Sequence, residues 1–305
     1  MEEQQNQETH KKNWHDKHYK ALLLIPIILL LFCFVYMGFF YSQHHDFFLK
    51  DISLMGGTSI TINGNIETAP LEAALTSKFG EVSIREVSDL VTGKQIATIV
   101  DTTASVDDVK AFLENYLGYK LIEGQNSSFE STDPSLGKAF YNQLLIAILV
   151  AFVFMAIVVF ILFRTPVPSG AVVLSAFADI FMTLVTVNLL GIKMSSAGII
   201  ALLMLIGYSV DTDILLTNRV LRRHEDLTLN QKLFGAFKTG ITMSLVSLIA
   251  IFVALLLVKS FSITLTQIFT ILVIGLAFDI FNTWITNVSI IKWYVLSKEK
   301  KEKSE

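Results

Sequence analysis

Four aspartates sit where a carboxylate is expensive. Asp179, Asp211, Asp213 and Asp279 each interrupt a long apolar run of this 305-residue chain. At the centre of a membrane span each costs roughly 2.5–3.5 kcal/mol. Such groups are expected to face one another, a water cavity or a cation. Asp211 and Asp213 are two residues apart. At about 100° per residue they leave a helix from nearly opposite faces, so each is expected to meet a different neighbouring helix. Lys238 opens the fifth apolar run and is the cation considered alongside them. A buried carboxylate is pulled towards its protonated form by desolvation and towards its ionised form by a nearby cation. That competition lets a group gain a proton on one side of a membrane and lose it on the other, worth about 2.3 kcal/mol per proton per 100 mV. The chemistry to expect is an ion or proton relay through Asp211, Asp179, Asp213, Asp279 and Lys238. The plainer alternative is that the carboxylates hold helices together by hydrogen bonds.

These groups need membrane spans to position them. Hydrophobic residues make up 52% of the chain and charged residues 17%, against about 25% charge in ordinary soluble domains. The deficit collects in six apolar runs long enough to cross a bilayer. The first is residues 21–41. Its length, and the lack of a small-residue cleavage site after Tyr41, argue against a removed signal peptide. The others begin at Ala139, about Ser169, about Ser196, about Phe237 and about Ile263, and the last ends near Ile291. Lys11, Lys12, Lys17 and Lys20 precede the first run. Arg164, Arg219, Arg222, Arg223 and Lys232 lie in alternate connections, and Lys292, Lys298, Lys300, Lys301 and Lys303 follow the last run. The positive-inside rule then puts residues 1–20 and 292–305 in the cytoplasm of a cell-membrane protein and residues 42–138 outside.

Residues 42–138 are too long for a structureless connection. Strand-like runs at Thr58–Ile62, Val82–Val87, Gln95–Val100 and near Ser127–Glu130 alternate with helical patterns at Pro70–Phe79, with Thr68 as its cap, and Ser105–Leu117. The order β-α-β-β-α-β predicts a ferredoxin-like α+β unit. The expected fold is therefore a multi-pass α-helical membrane protein, a six-helix bundle in spans at residues 21–41 and 139–291, with one inserted extracytoplasmic domain. Asn126-Ser-Ser forms a glycosylation sequon. Cys33 is the one cysteine, so an internal disulfide is excluded. There is no phosphate-binding glycine loop. No metal, cofactor or nucleic-acid partner is expected.

The fourth run reads Leu205-Ile-Gly-Tyr-Ser-Val-Asp-Thr-Asp-Ile-Leu-Leu-Thr-Asn-Arg219. It resembles the fourth-span signature of the SecF family of protein-export membrane subunits, in its archaeal form; Gly207, Tyr208 and Ser209 belong to it. Met55-Gly-Gly-Thr58, with Gly56, Gly57 and Thr58, resembles the family's segment after the first span. Asp133-Pro-Ser-Leu-Gly-Lys138 resembles its entry to the second span. Ala178-Asp-Ile-Phe-Met-Thr-Leu184 resembles its third-span motif, with alanine in place of histidine. The likeness runs from about Asp51 to Tyr294. It implies pairing with SecD, a six-span partner of the resistance-nodulation-division superfamily, and assistance to the Sec translocon channel in moving exported polypeptides across the lipid bilayer, with no enzyme activity. Bacterial members carry Asn-Asp where Asp211-Thr212 stands, and usually Arg where Lys238 stands; Asp211 instead matches the aspartate of the SecD version of this motif.

Two other classes compete. A small-molecule or lipid exporter of the same superfamily shares the span pattern, although a single outer domain of about 95 residues is small for it. An intramembrane aspartyl protease would use two membrane aspartates, but Gly275-Leu-Ala-Phe-Asp279 lacks the Gly-x-Gly-Asp pattern and no Pro-Ala-Leu follows.

Overall fold

The computed structural model describes residues 21–80, 82–88, 92–221, 227–259 and 262–302. Lys11, Lys12, Lys17, Lys20, Arg222, Arg223 and Lys303 lie outside these residues. Among the described residues, six helices are long and apolar enough to cross a membrane. Span one is α1 (Leu24–His44) and span two is α5 (Pro134–Phe163). Span three is α6 (Pro166–Leu189), span four α7 (Ser196–Leu221) and span five α8 (Leu229–Val258). Span six is a composite of α9 (Ile263–Phe281), a π-helical segment (Asn282–Asn287) and α10 (Val288–Glu302). The helix thus runs on through residues that the charge pattern assigns to a tail.

Local sequence sets where these helices begin. Asp133 caps span two by accepting from Ser135 N at 2.8 Å, with proline in the first turn. Arg164 turns into the left-handed region at φ 53°, and Pro166 then opens span three. Thr228 and Gln231 form a capping box at the start of span five. Spans three and four form the buried centre, and spans one, two and five leave most of their surface facing outwards. One apolar core joins Val172, Ala176 and Ile180 of span three to Leu202 and Leu205 of span four and Ile271 of span six. Span one lies against span three through Cys33, Met37, Ala178 and Met182.

The inserted domain has the predicted element order. Its strands are β1 (Gly57–Asn63), β2 (Val82–Ser88), β3 (Gln95–Thr102) and β4 (Ser127–Thr132). They make one antiparallel sheet of order β2-β3-β1-β4, with Ile60 opposite both Val100 and Phe129. Helices α3 (Thr68–Phe79) and α4 (Val106–Leu117) cover the same face. Leu71, Leu75, Val109 and Leu113 pack there on Ile60, Ile62 and Val100. Ser105 caps α4 by accepting from Asp108 N. Thr68 is not a cap: it is the first residue of α3, and its hydroxyl donates to Glu86 Oε1 at 2.7 Å. The sequon asparagine is engaged at both ends, accepting from Ile122 N and donating to Lys120 O.

Domain and bundle meet through a compact base. After span one, the chain forms a single turn, α2 (Ile52–Met55). The backbone at Leu49–Asp51 pairs with Met194, in the connection between spans three and four, by bonds of 2.6 and 2.9 Å. Asn188 donates to Phe47 O, and Ser196 N to Ser53 Oγ. Gln267 of span six bonds to Ser195 and Lys193 of the same connection. The Gly-Gly-Thr segment has a steric reason. Gly57 sits at φ 141°, where a side chain would run into the Thr102 carbonyl. Thr58 Oγ1 donates to Ala104 O at 2.7 Å. On the return path, a Cβ at Gly137 would lie 2.9 Å from Gly56 N and 3.1 Å from Leu54 O, so the outgoing and incoming chains touch.

Candidate functional site

Three of the four aspartates converge. Asp179 on span three, Asp213 on span four and Asp279 on span six are all 0% exposed. Neutral donors hold them. Asp179 Oδ2 accepts from Ser209 Oγ at 2.6 Å, and Asp179 Oδ1 from Asn282 Nδ2 at 2.7 Å. Asp213 Oδ1 accepts from Asn287 Nδ2 at 2.6 Å and from Thr283 Oγ1 at 2.9 Å. The same Thr283 hydroxyl lies 3.3 Å from Asp279 Oδ1. One hydroxyl thus stands between two carboxylates.

Four of these donors were not marked out by the aspartate pattern: Ser209 entered only through the family signature, and Asn282, Thr283 and Asn287 did not enter at all. The last three lie in the π-helical segment. A π turn carries one extra residue relative to an α turn. Here it brings Asn282 towards span three and both Thr283 and Asn287 towards span four. The readable signal was a pair of asparagines five residues apart inside an apolar span. Tight packing fixes the segment. Gly240 of span five lies directly against the Trp284 ring, and Phe237 meets that ring edge-on at 5.0 Å between centroids. Gly275 lies against the Leu205 side chain in the same manner on span four.

Asp211 is elsewhere. It is exposed, on the face of span four opposite Asp213, as the two-residue spacing predicts. Ile200, Met204, Gly207 and Tyr208 share that outward stripe. Ser209, between Tyr208 and Asp211, turns inward to Asp179. Lys238 on span five is also exposed, and no ion pair joins it to Asp211. The structure therefore does not unite the five predicted relay residues. It gives a buried trio and, separately, an outward aspartate and an outward lysine. Arg219, at the end of span four, is engaged with Gly235 O and Thr239 Oγ1 of span five.

A second polar region lies under the domain. The sheet face not covered by helices bears Ser59, Thr61, Arg85, Asp101 and Glu130, above a cleft of about 460 Å³ bounded by Ser195, Ser196, Ser262 and Gln267. Arg85 pairs with Asp101 and stands 3.8 Å from Asp51. Burial pushes the Asp51 carboxyl above the ordinary carboxylate range, with Arg85 pulling the other way. His44 lies tilted against Phe40 and His45 meets Tyr41 edge-on, and no metal-binding cluster of three or more His, Cys, Asp or Glu occurs among the described residues.

Comparison with known proteins places this geometry. The family described as "Protein export membrane protein SecD/SecF, C-terminal" matches residues 114–297. The protein-export membrane protein SecF of Methanocaldococcus jannaschii is 39% identical over 292 residues, covering 94% of this chain and 99% of that protein. SecF of Methanothermobacter thermautotrophicus is 38% identical, covering 92% of this chain and 93% of its own length. The crystal structure of SecDF from Thermus thermophilus, a translocon-associated membrane protein, superposes with a TM-score of 0.73 at 20% identity. The match covers 93% of this chain and 39% of the SecDF chain, so the present chain spans about two fifths of that protein.

Proposed function

Because the chain belongs to the SecD/SecF family of protein-export membrane proteins, we propose that it works as the SecF half of a two-part accessory to the Sec translocon. It is a multi-pass membrane protein with a protein-export role. In this reading SecD supplies the other half. The termini are cytoplasmic, the inserted domain lies outside and handles the exported polypeptide, and an ion gradient acts through the intramembrane aspartates.

The observation that carries the proposal is the outward stripe of span four. A carboxylate on a lipid-facing stripe costs roughly 2.5–3.5 kcal/mol, and Asp211 stands on that stripe beside Gly207 and Tyr208. Coverage by a second bundle removes that cost. The small Gly207 permits a close helix approach there. SecD fits as the covering half, because the SecDF chain extends well beyond the part that this chain matches. The exporter and protease readings have no comparable support, since the relatives are protein-export subunits.

The test is export into proteoliposomes that hold the translocon, SecD and this chain under an imposed ion gradient. Asp211→Asn is expected to abolish the gradient-dependent part of export while leaving co-purification with SecD in place. Export that responds neither to the gradient nor to the substitution rules the coupling role out.

A further inference from the structure

We propose that a groove between spans two and three holds one anionic phospholipid, with its phosphate at Arg164 and an acyl chain lying along Gly170. Arg164 closes span two at the end away from the inserted domain, so the lipid belongs to the leaflet on that side. The site is separate from the aspartates and does not depend on the protein-export reading.

Span three is the floor of this groove. Span two packs on it through Met155 and Val159, and span one leans on it through Cys33 and Met37. Beside the span-two contact a volume of about 820 Å³ stays open. It runs from Phe160 and Pro166 at the Arg164 end to Leu145 and Leu184 at the domain end. At 1.5 Å per residue, Pro166 to Leu184 is about 27 Å, nearly the roughly 30 Å of hydrocarbon in a bilayer. Ring contacts hold the walls in place. Phe34 of span one lies tilted on Phe181 at 4.6 Å between centroids, and Phe152 of span two meets Phe177 edge-on at 6.4 Å. A Cβ added at Gly170 would meet nothing within 4 Å, so the floor is open there.

Size and lining select the occupant. Ser169 is the one polar side chain among the lining residues, and its hydroxyl turns back to Val159 O at 3.4 Å. Water therefore finds no set of partners there. A 20-residue helix, a cylinder about 10 Å across and 30 Å long, displaces roughly 2,400 Å³, about three times the groove. Helices also dock within membranes over small residues, whereas Phe152, Phe160, Phe177 and Phe181 line this surface. The volume instead falls in the range of small-molecule sites, about 300–1,000 Å³. A flexible acyl chain can follow such a surface along its length.

Apolar packing alone does not choose one lipid over another, because every tail is already in hydrocarbon. The choice comes from the mouth of the groove. Arg164 takes the left-handed conformation at φ 53° and is exposed, and no ion pair engages it among the described residues. Next to it, Thr165 Oγ1 is buried without a hydrogen-bond partner and does not cap span three. Span three begins at Pro166, a lining residue, so the positive end of its dipole lies at the same mouth. A guanidinium fork, an unused hydroxyl and a helix N-terminus suit a phosphate. A lipid phosphate is the kind that also brings a chain for the groove.

The test is native mass spectrometry of the purified full chain, supplied in detergent with phosphatidylglycerol, phosphatidylethanolamine or inorganic phosphate at equal concentration. The expected result is a single retained phosphatidylglycerol. It should bind about fivefold better than phosphatidylethanolamine, the preference that one cation gives an anionic headgroup, and inorganic phosphate should not be retained. Gly170→Phe fills the groove from an open position and is expected to abolish retention without lowering the thermal midpoint. Arg164→Gln is expected to keep a lipid but lose the preference between headgroups. Val158→Phe, on the outward face of span two, should change neither. Retention unaltered by Gly170→Phe, equal binding of the two lipids by the native chain, or phosphate bound as well as phospholipid overturns the proposal. If Gly170→Phe does not fold, Arg164→Gln decides, because that side chain is exposed. A photo-crosslinker at position 170 in native membranes is expected to label lipid; labelling of SecD would give the groove to a partner helix and overturn the lipid site.

Discussion

Asp179 shows how finely a buried carboxylate is tuned by its donors. Two neutral groups approach it, one on each oxygen. Asp179→Asn replaces one acceptor with an NH₂ that must face a donor. It is expected to destabilise the protein by about 1–3 kcal/mol, the cost of an unmet buried polar group. Ser209→Ala removes one bond and is expected to cost less, about 0.5–1.5 kcal/mol. Thermal midpoints in detergent check both, and equal midpoints for all three proteins would show that these bonds hold nothing. At this scale the sequence was readable where chemistry is costly. Aspartates in apolar runs announce themselves, and the two-residue spacing of Asp211 and Asp213 already puts them on opposite faces. Which of the two faces inward was not readable, because span four has apolar residues on both sides. Ser209 and Thr283 were missed because hydroxyls are common in spans and can bond to their own helix backbone; the asparagine pair was the one neutral signal the span offered.

At the scale of elements, the π-helical segment is the device that turns a long sixth span into a row of donors for the buried aspartates. Its sequence, Asn282-Thr-Trp-Ile-Thr-Asn287, reads as ordinary helix, so the hydropathy pattern predicted only length. Deleting the half-buried Ile285 is expected to restore α-helical register and turn Asn287 by about 100° away from Asp213. Membrane insertion should survive, because the span remains long enough, while gradient-driven export should fall to the level without a gradient. Proteoliposome export and alkaline extraction from membranes measure the two. Gly240→Val drives a branched side chain into the Trp284 ring and is expected to cost about 1–3 kcal/mol by overpacking. Its thermal midpoint should drop even though valine is well accepted in membrane helices. The domain's order of strands and helices was legible because alternation and capping signals are local. The misread cap at Thr68 shows the limit. Its hydroxyl is drawn to Glu86 on a neighbouring strand, a tertiary contact that no local pattern contains.

For the whole molecule, the question is how a soluble-type domain is held against a membrane bundle. Backbone pairing at Met194, Gln267 at the top of span six and the Arg85 cluster supply the hold. Asp51 makes that hold sensitive to pH. Burial raises its carboxyl above the ordinary value, so the folded state binds its proton more tightly than the unfolded state. Stability from this group is therefore greatest in acid, and it falls as pH rises from the ordinary carboxylate range through the raised value. Hydrogen exchange of the amides at residues 49–53 and 193–196 should show this loosening, and Asp51→Asn should flatten the dependence. A dependence of opposite sign would assign the effect to other groups.

The contact between Gly56 and Gly137 has a practical meaning for the bundle. Seen from the membrane, the domain leaves and returns through one doorway, so it is topologically equivalent to a short hairpin. Joining the chain directly across that contact should give a six-span protein with the domain cut out cleanly, and the excised piece carries its own apolar core. The two parts can then be exchanged between relatives as cassettes, which allows the membrane bundle and the inserted domain to be assayed, and to evolve, one at a time.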